Sequence, residues 1–298
     1  MKAHRQVWLL VAGAVAPIVV FASLAALLLV QHERQTLERD AIGRARAAMT
    51  AVDAHLQGSI ASLETLAASK SLEAGDLAAF HEESQRVLRT QPGWMNIGLA
   101  SAAKVQLSDA VYVFGKPAPF SANEDSFDAV LRGAKAAMGN VMAGSAVRSP
   151  SARIRVPVIV GGEVRYVVSA PLNPKQFAEL LQAQRLPEDW VIGLVDREKR
   201  VVARIPAVAP GTPASDNFRE AIEREPEGWF YGRTLEGRAT YTSYVTSPLS
   251  GWVLGIAIPA VTVESEVRRI FAILGAGALC ACAVAALLAW LIAGRLSR

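Results

Sequence analysis

Two long uncharged runs near the ends of the chain constrain its fold more than any other feature. Residues 7–30 and residues 270–293 each form a run of 24 residues without Asp, Glu, Lys or Arg. A helix of that length is about 36 Å long, enough to cross a hydrocarbon core of about 30 Å. A buried core helix is rarely apolar on every side, and a cleaved signal peptide has an apolar part of only about 7–15 residues. The sequence therefore predicts two transmembrane helices.

The distribution of charge predicts the orientation of these helices. All 27 acidic residues and 27 of the 31 basic residues lie between the two runs, so the middle of the chain is neutral. The four remaining basic residues are Lys2, Arg5, Arg295 and Arg298, which lie outside the runs, as the positive-inside rule requires of cytoplasmic ends. We expect a bitopic inner-membrane protein with residues 31–269 in the periplasm and the lipid bilayer as a partner. No basic surface for nucleic acid is expected.

The residue types that usually build metal, redox or catalytic sites are sparse. Cys280 and Cys282 both lie in the second run, and the four histidines have no ligand spacing. The periplasmic part is then expected to have no disulfide, metal or cofactor, and to depend on its own hydrophobic core. No phosphate-binding loop, kinase histidine motif or nucleophile elbow occurs in residues 1–298. An enzymatic activity is left open for a domain that would follow residue 298, and a membrane-anchored envelope enzyme is the least favoured alternative for the chain itself.

The spacing of apolar residues predicts one long helix and then two modules of helices and strands. Apolar residues recur every three or four positions from residue 31 to residue 72, along one face of a helix. This Ala-rich stripe would either pack on the same chain or form the seam of a homodimer, and we expect the seam. The further predicted helices are Asp76–Arg89, Asn123–Met138, Pro174–Gln184 and Ser215–Arg224. The predicted strands are Trp94–Ser101, Val105–Phe114, Val141–Val147, Ile154–Val160 and Val164–Ala170, followed by Trp190–Val195, Arg200–Ile205, Trp229–Thr234, Ala239–Thr246 and Trp252–Ile258.

These elements give an α+β fold class, with two tandem modules of antiparallel sheet on a long N-terminal helix. In chain order the predicted parts are a cytoplasmic end (1–6), the first transmembrane helix (7–30), a long signalling helix (31–72), a membrane-distal module (73–185), a membrane-proximal module (186–259), a juxtamembrane helix (260–269), the second transmembrane helix (270–293) and the start of a cytoplasmic linker (294–298).

Several stretches resemble the double Cache sensor region of bacterial membrane receptors, particularly that of HWE-type sensor histidine kinases. They are DSFDAVLRGAKAA from residue 125, ARIRVPVIVGGEVRYVVSAPLN from 152, LPEDWVIGLVDREKRVVARIP from 186, EGWFYGRTLEGRATYTSYVTSPLSGWVLGIAIP from 227 and LLAWLIAGRLSR from 287. The resemblance implies two PAS-like modules, a distal one that holds a small-molecule ligand and a proximal one that relays its binding. It also implies a dimer and a cytoplasmic output domain.

The function expected from this resemblance is that of a ligand-sensing input module of a transmembrane receptor. The receptor would be a two-component sensor histidine kinase that relays ligand binding through its second transmembrane helix. The alternatives are the sensor of a chemoreceptor or a diguanylate cyclase, or a non-enzymatic membrane scaffold.

The sequence departs from the members of this family that bind amino acids. Those members carry a Tyr–Arg–Trp-Tyr pattern before the distal helix and an Asp at the end of the last distal strand. Here residues 115–123 hold no Arg or Trp, and Pro171 occupies the position of the Asp. Another subgroup has an Asp-Arg pair before the helix Phe, where this chain has Ala122-Asn123 ahead of Phe127. Binding of an amino acid is therefore disfavoured.

The candidate ligand-binding residues are polar and aromatic side chains on the predicted distal strands. Arg153 and Arg155 alternate with apolar residues, so both guanidinium groups lie on one face of a strand and could clamp an anion. The alternative, which we favour at this stage, is that this face is exposed to solvent. The remaining candidates are the aromatic residues Trp94, Tyr112 and Tyr166, for which core packing is the alternative, and the hairpin residues Ser108 and Asp109.

Three residues of the proximal module are assigned structural roles. Asp196 is expected to stabilise a hairpin turn, and Trp229 and Trp252 are expected in the core. The last predicted strand joins the following helix without a loop, so a shift of the strand would move that helix.

Overall fold

The computed structural model describes residues 2–116, 125–142 and 150–265, and isolated helical positions between 269 and 287. The side chains of residues 2–19, 22 and 26 lie outside this description. The chain divides into two compact units, residues 1–40 with 259–298 and residues 41–258. Among the residues described, no helix combines the length and the apolar character needed to cross a bilayer.

The long N-terminal helix, α1, spans Lys2–Ala67 and ends five residues before the predicted position. A short helix, α2 (Lys70–Ala74), follows, and Gly75 ends it with a left-handed φ of 74°. The Ala-rich stripe of α1 is buried within its own unit, for Ala45, Val52 and Leu56 are each 0% exposed. This stripe is therefore part of the domain's own core, and the prediction that it forms a dimer seam is wrong. The sheets described below need a helix to cover one face, and α1 provides it.

The distal module contains a five-stranded antiparallel sheet. Its strands are β1 (Gly98–Ser101), β2 (Gln106–Asp109), β3 (Ala137–Met138), β4 (Arg153–Val160) and β5 (Glu163–Pro171), in the order β2-β1-β5-β4-β3. Helix α3 (Leu77–Thr90) lies on one face, where His81 Nδ1 is 3.0 Å from Ser108 Oγ. Helix α4 (Asp125–Gly133) covers the other face through Phe127 and Val130, which pack on Ala100 and Val167.

Turn and capping residues set several of these boundaries. Asp76 accepts a hydrogen bond from the Ala79 N–H at 3.0 Å and begins α3, as predicted. Gly161 and Gly162 form the β4–β5 turn with φ of 64° and 89°, conformations that glycine adopts without strain.

The distal strands and helices differ from the prediction in three places. The predicted helix Asn123–Met138 ends at Gly133, because the next residue, Ala134, is left-handed with a φ of 48°, and the chain then enters β3. The first hairpin is shorter than predicted, so that Trp94 and Tyr112 lie outside its strands. Of the predicted strand Val141–Val147, Met142 forms a single bridge with Ser151, and residues 143–147 lie outside the described residues, as do Ala122 and Asn123.

The proximal module repeats this architecture. Its strands are β6 (Val191–Val195), β7 (Val201–Ile205), β8 (Glu227–Arg233), β9 (Ala239–Thr246) and β10 (Val253–Pro259), in the order β7-β6-β10-β9-β8. That is the strand order of the distal sheet, position by position. Helix α5 (Pro174–Gln182), capped by Asn173, connects the two modules, and helix α6 (Asp216–Arg224) covers one face of the proximal sheet. The predicted tandem organisation is confirmed.

The opposite face of the proximal sheet packs on α1. Ser243 Oγ donates a hydrogen bond to the Ala41 carbonyl at 3.0 Å, and Ser247 Oγ donates one to Asp53 Oδ1 at 2.6 Å. Trp252 is fully buried, as predicted. Trp229 is only half-buried and stacks on Tyr241 with ring centroids 5.6 Å apart, so its assignment to the core is wrong.

Candidate ligand-binding site

Arg153 and Arg155 lie on the face of the distal sheet that α4 covers. Arg155 is paired in register with Ser169 on β5, Ser169 with Gly98 on β1, and Gly98 with Asp109 on β2. Residues directly paired across antiparallel strands share a face, so these four positions form one row across the sheet. Arg155 is 0% exposed and Arg153 is 7% exposed. The interpretation that this face is open to solvent is therefore wrong.

The Arg155 guanidinium group is held by two residues of α4. Its Nη1 donates a hydrogen bond to Ser126 Oγ, and its Cζ lies 5.7 Å from the centre of the Phe127 ring. A guanidinium group carries a positive charge and five N–H donors in a planar arrangement. A fixed positive charge that is shielded from water favours an anionic group over a neutral one.

Ser169 adds a polar group beside Arg155. The residue is 7% exposed, and its Oγ has no hydrogen-bond partner among the atoms of the described ranges. A buried hydroxyl in that state costs about 1–3 kcal/mol relative to a hydrogen-bonded one, which a ligand oxygen could recover. The sequence analysis missed both Ser169 and Ser126. Their proximity to Arg155 comes from strand register and helix placement, and no local sequence signal marks it.

Asp109 lies in the same row, but both oxygens of its carboxylate accept hydrogen bonds from neighbouring residues. Oδ2 accepts hydrogen bonds from Asn96 Nδ2 at 2.8 Å and Gln106 Nε2 at 3.0 Å, and Oδ1 accepts one from the Val111 N–H at 3.0 Å. Asp109 is also three strands from Arg155, which at about 4.8 Å per strand is about 14 Å. The geometry thus assigns Asp109 to the end of β2 and not to the group around the arginines.

The other candidate residues are not brought together with the arginines. Ser108 and Tyr166 lie on the opposite face, since Ser108 pairs with Leu99 and Tyr166 with Ser101 and Val158. Trp94 is buried and forms a β-bridge with Leu172, which agrees with the alternative that it packs in the core. Tyr112 is half-exposed in the turn after β2, where it lines a cavity of ≈ 170 Å³ together with Ser108 and Asp109.

The fold of the chain is that of known bacterial sensor domains. No family model and no curated protein sequence matches the chain. Among solved structures, the extracellular domain of rpHK1S-Z16, a protein assigned as a histidine kinase, superposes with a TM-score of 0.61 at 16% identity, over 79% of this chain and 98% of that one. The ligand-binding domain of the Pseudomonas fluorescens chemoreceptor CtaA, solved with L-isoleucine, gives 0.61 at 14% identity, over 79% and 98%.

A third similar structure comes from a histidine kinase. The sensor domain of the V. cholerae histidine kinase DctB superposes with a TM-score of 0.55 at 12% identity, over 76% of this chain and 98% of that one. At these identities the likeness establishes the fold, a double Cache-like arrangement of two α+β modules, and leaves the ligand to be argued from the chain's own residues.

Proposed function

We propose that the chain is the ligand-sensing input module of a transmembrane receptor, and that its distal module binds a small anionic molecule. The observation that carries this proposal is the buried Arg153–Arg155 pair on the α4 face, beside the Ser169 hydroxyl, which has no hydrogen-bond partner within residues 2–116, 125–142 and 150–265. The similar chemoreceptor domain of CtaA binds L-isoleucine. In this chain Pro171 ends β5, where amino-acid-binding relatives place an Asp, so an α-amino group would lack its carboxylate partner. A carboxylate or phosphate without an amine fits the charge of the site better.

The proposed topology has residues 31–269 outside the inner membrane and both ends in the cytoplasm. Its support is the two uncharged runs with basic residues outside them. Large apolar side chains in the terminal unit are also exposed, with Phe21 and Leu279 each at 73%. Exposed apolar surface of this kind is costly in water and stable in lipid. The predicted domain boundaries, including transmembrane helices 7–30 and 270–293, are part of this proposal.

A chain of backbone contacts leads from the arginines to the proximal sheet. The Gly139 N–H donates to the Arg153 carbonyl at 2.7 Å, and two residues further the Val141 N–H donates to Asp196 Oδ2 at 2.7 Å. Asp196 follows β6, whose Val195 pairs with Val253 of β10. β10 ends at Pro259, and helical residues begin at Ala260 without an intervening loop.

This route supports a relay in which movement of β4 reaches the strand that continues toward the second apolar run. A ligand drives such a movement only through a difference in its affinity for two conformations. The output is proposed to be a histidine kinase, with a chemoreceptor or diguanylate cyclase as alternatives, and the receptor is proposed to be a homodimer. The HWE subclass rests on the sequence resemblance alone.

Ligand screening with arginine variants tests the proposed site. The full chain in detergent micelles is screened by thermal shift against dicarboxylates, phosphates, amino acids, sugars and nucleobases. We expect stabilisation by an anion, and a loss of affinity of about 10- to 100-fold in Arg153→Lys and Arg155→Lys, which keep the charge but lose the bidentate geometry worth about 1.5–3 kcal/mol. The matched control is Arg165→Ala, because Arg165 is exposed on the neighbouring strand β5.

Two results would contradict the proposal. One is stabilisation by neutral sugars or nucleobases and by no anion. The other is an anion affinity that Arg165→Ala reduces as much as Arg155→Lys does. A complete absence of stabilisation across the panel would favour the scaffold alternative.

A further inference from the structure

The proximal module contains a cavity of its own, separate from the distal site. It has a volume of ≈ 80 Å³ and lies between the proximal sheet and α6. Gly193 of β6 and Gly255 of β10 are paired in register in its floor. A Cβ on Gly255 would come within 2.6 Å of Phe218, so that glycine is needed for the packing of α6. A Cβ on Gly193 would meet nothing nearer than 3.7 Å, so the missing side chain of Gly193 leaves usable space.

Three buried polar residues line this cavity, together with the more exposed polar residues Ser215, Arg233 and Thr234. Thr240 and Thr242 are 2% and 6% exposed, and their hydroxyl oxygens lie 3.3 Å apart. Arg204, 6% exposed, is in register with Gly193 across the β6–β7 hairpin, so its side chain starts from the cavity face. A buried guanidinium group from β7 and two hydroxyls from β9 in the lining of one cavity suit a molecule with an anionic head and a short apolar body.

The anionic partner of Arg204 is at present supplied by the protein itself. Arg204 Nη2 donates to Glu236 Oε2 at 2.7 Å, and Nη1 donates to the Pro206 carbonyl at 2.9 Å. Glu236 belongs to the β8–β9 turn, and its side chain is 44% exposed, whereas that of Arg204 is 6% exposed. Arg204 lowers the pKa of Glu236 to about 2, so the two groups are tightly paired, and the more exposed carboxylate would leave only when another anion takes its place at the buried arginine. Leu235 of the same turn lines the cavity and is 41% exposed, so the cavity opens beside Glu236.

We propose that the proximal module binds a short-chain monocarboxylate in this cavity, with the ligand carboxylate replacing that of Glu236 at Arg204 and the ligand's carbon chain above Gly193. Volume sets the chain length. A protein cavity of about 150 Å³ takes up benzene, so one of about half that volume accommodates about three to five heavy atoms. Acetate and propionate fit this range, and hexanoate does not.

The site would act on the output directly. Gly255 and Ala257 of β10 line the cavity, and β10 is the strand that ends at Pro259. A ligand held between β10 and α6 therefore changes the packing of that strand without involving the distal module. This inference goes beyond the proposed function, since the distal site can be correct or wrong independently of it.

The test measures acetate, propionate and hexanoate binding to the full chain in detergent micelles by saturation-transfer NMR and thermal shift. We expect acetate and propionate to bind, and hexanoate to bind at least about tenfold more weakly because its chain exceeds the volume of the cavity. Neutral propionamide should also bind at least about tenfold more weakly, since it lacks a charge pair worth more than about 1.4 kcal/mol. Glu236→Gln should raise propionate affinity about three- to tenfold, because the competing carboxylate is removed. Gly193→Ala should lower propionate affinity at least about tenfold, because the added methyl group occupies part of the cavity. The matched control is Gly43→Ala, which alters a glycine of α1 with open space around it.

Folding of each variant is checked by its unfolding midpoint. If Gly193→Ala unfolds, Thr242→Val replaces it, because that change removes one lining hydroxyl and keeps the shape of the side chain.

Propionate affinity that is unchanged in Gly193→Ala or Thr242→Val, or that falls in Glu236→Gln, would overturn the inference. Binding that is lost in Arg155→Lys but kept in Gly193→Ala would assign the carboxylate to the distal site. The proposed function would then stand and this inference would fail. An absence of any acetate or propionate binding at millimolar concentration would also refute it.

Discussion

Replacing Asp196 with Ala is expected to break the contact between the proximal hairpin and the segment that follows β3. Asp196 is 0% exposed, and besides the Val141 N–H its carboxylate accepts the Arg200 N–H at 2.9 Å. The substitution leaves the buried Val141 N–H and the part-buried Arg200 N–H without their acceptor, at about 1–3 kcal/mol for the buried donor and less for the other. Burial raises the pKa of Asp196, because desolvation of the charged form outweighs the backbone hydrogen bonds that its carboxylate accepts. Removing that charge offsets part of the loss, so we expect a net destabilisation of about 2–3 kcal/mol.

Denaturant unfolding and hydrogen exchange of the full chain in detergent micelles measure this loss. We expect the free energy of unfolding to fall in Asp196→Ala, and faster exchange of the amide hydrogens at residues 139–141 and 200. Asp196→Asn keeps one acceptor oxygen and should lose about half as much. Asp189→Ala is the matched control, because Asp189 is exposed just before β6 and its replacement should change stability by less than about 0.5 kcal/mol.

The same variant tests whether this contact carries the relay. A distal ligand should slow amide exchange in β10 of the wild-type chain and should fail to do so in Asp196→Ala. If Asp196→Ala is as stable as Asp189→Ala, the reasoning about the two orphaned donors is refuted. If the distal ligand still protects β10 in an otherwise destabilised Asp196→Ala, the contact is structural and the signal uses another route.

Two further predictions concern the packing around the sheets. Gly255→Ala should destabilise the chain by about 1–3 kcal/mol in urea unfolding, because its Cβ would overlap the Phe218 ring at 2.6 Å; a cost no greater than that of Gly193→Ala would contradict the overlap. Burial lowers the pKa of His55 below its usual 6.5, so the unfolded chain takes up the proton first, and stability should fall as pH drops through 6.5 and level off below the folded-state pKa. His55→Gln should reduce this slope between pH 7.5 and 5.5, and an unchanged slope would refute the assignment.

Local signals predicted the elements of this fold well where a specific residue type defines a boundary. Asp76 and Asn173 accept capping hydrogen bonds where two predicted helices begin, and Gly161-Gly162 forms the turn between two predicted strands. The end of α4 was missed because Ala134 adopts a left-handed conformation that its residue type disfavours. No pattern in the sequence indicates that exception.

The candidate site was predictable only in part, because strand register decides which side chains meet. Alternation alone placed Arg153 and Arg155 on one face, and this is confirmed by their shared burial against α4. Alternation within one strand cannot tell which face a helix covers, so the arginines were assigned to solvent. It also cannot pair strands that are distant in sequence, so Ser169 was missed and Ser108 was grouped with residues on the opposite face. Hydrogen bonds between modules, such as the one from the Val141 N–H to Asp196, depend on tertiary packing and cannot be predicted from the periodicity of apolar residues.

The distal and proximal candidate sites converge on β10 from different directions. The distal route reaches it through Val141, Asp196 and β6, whereas the proximal cavity contacts it at Gly255. Two ligands that each favour one position of the same strand must influence each other's affinity, and by linkage the effect is reciprocal. The route also predicts an asymmetry. Loss of the Asp196 contact should abolish the effect of the distal ligand on β10 and its coupling to propionate, while propionate alone should still shift β10, because its cavity does not involve Asp196.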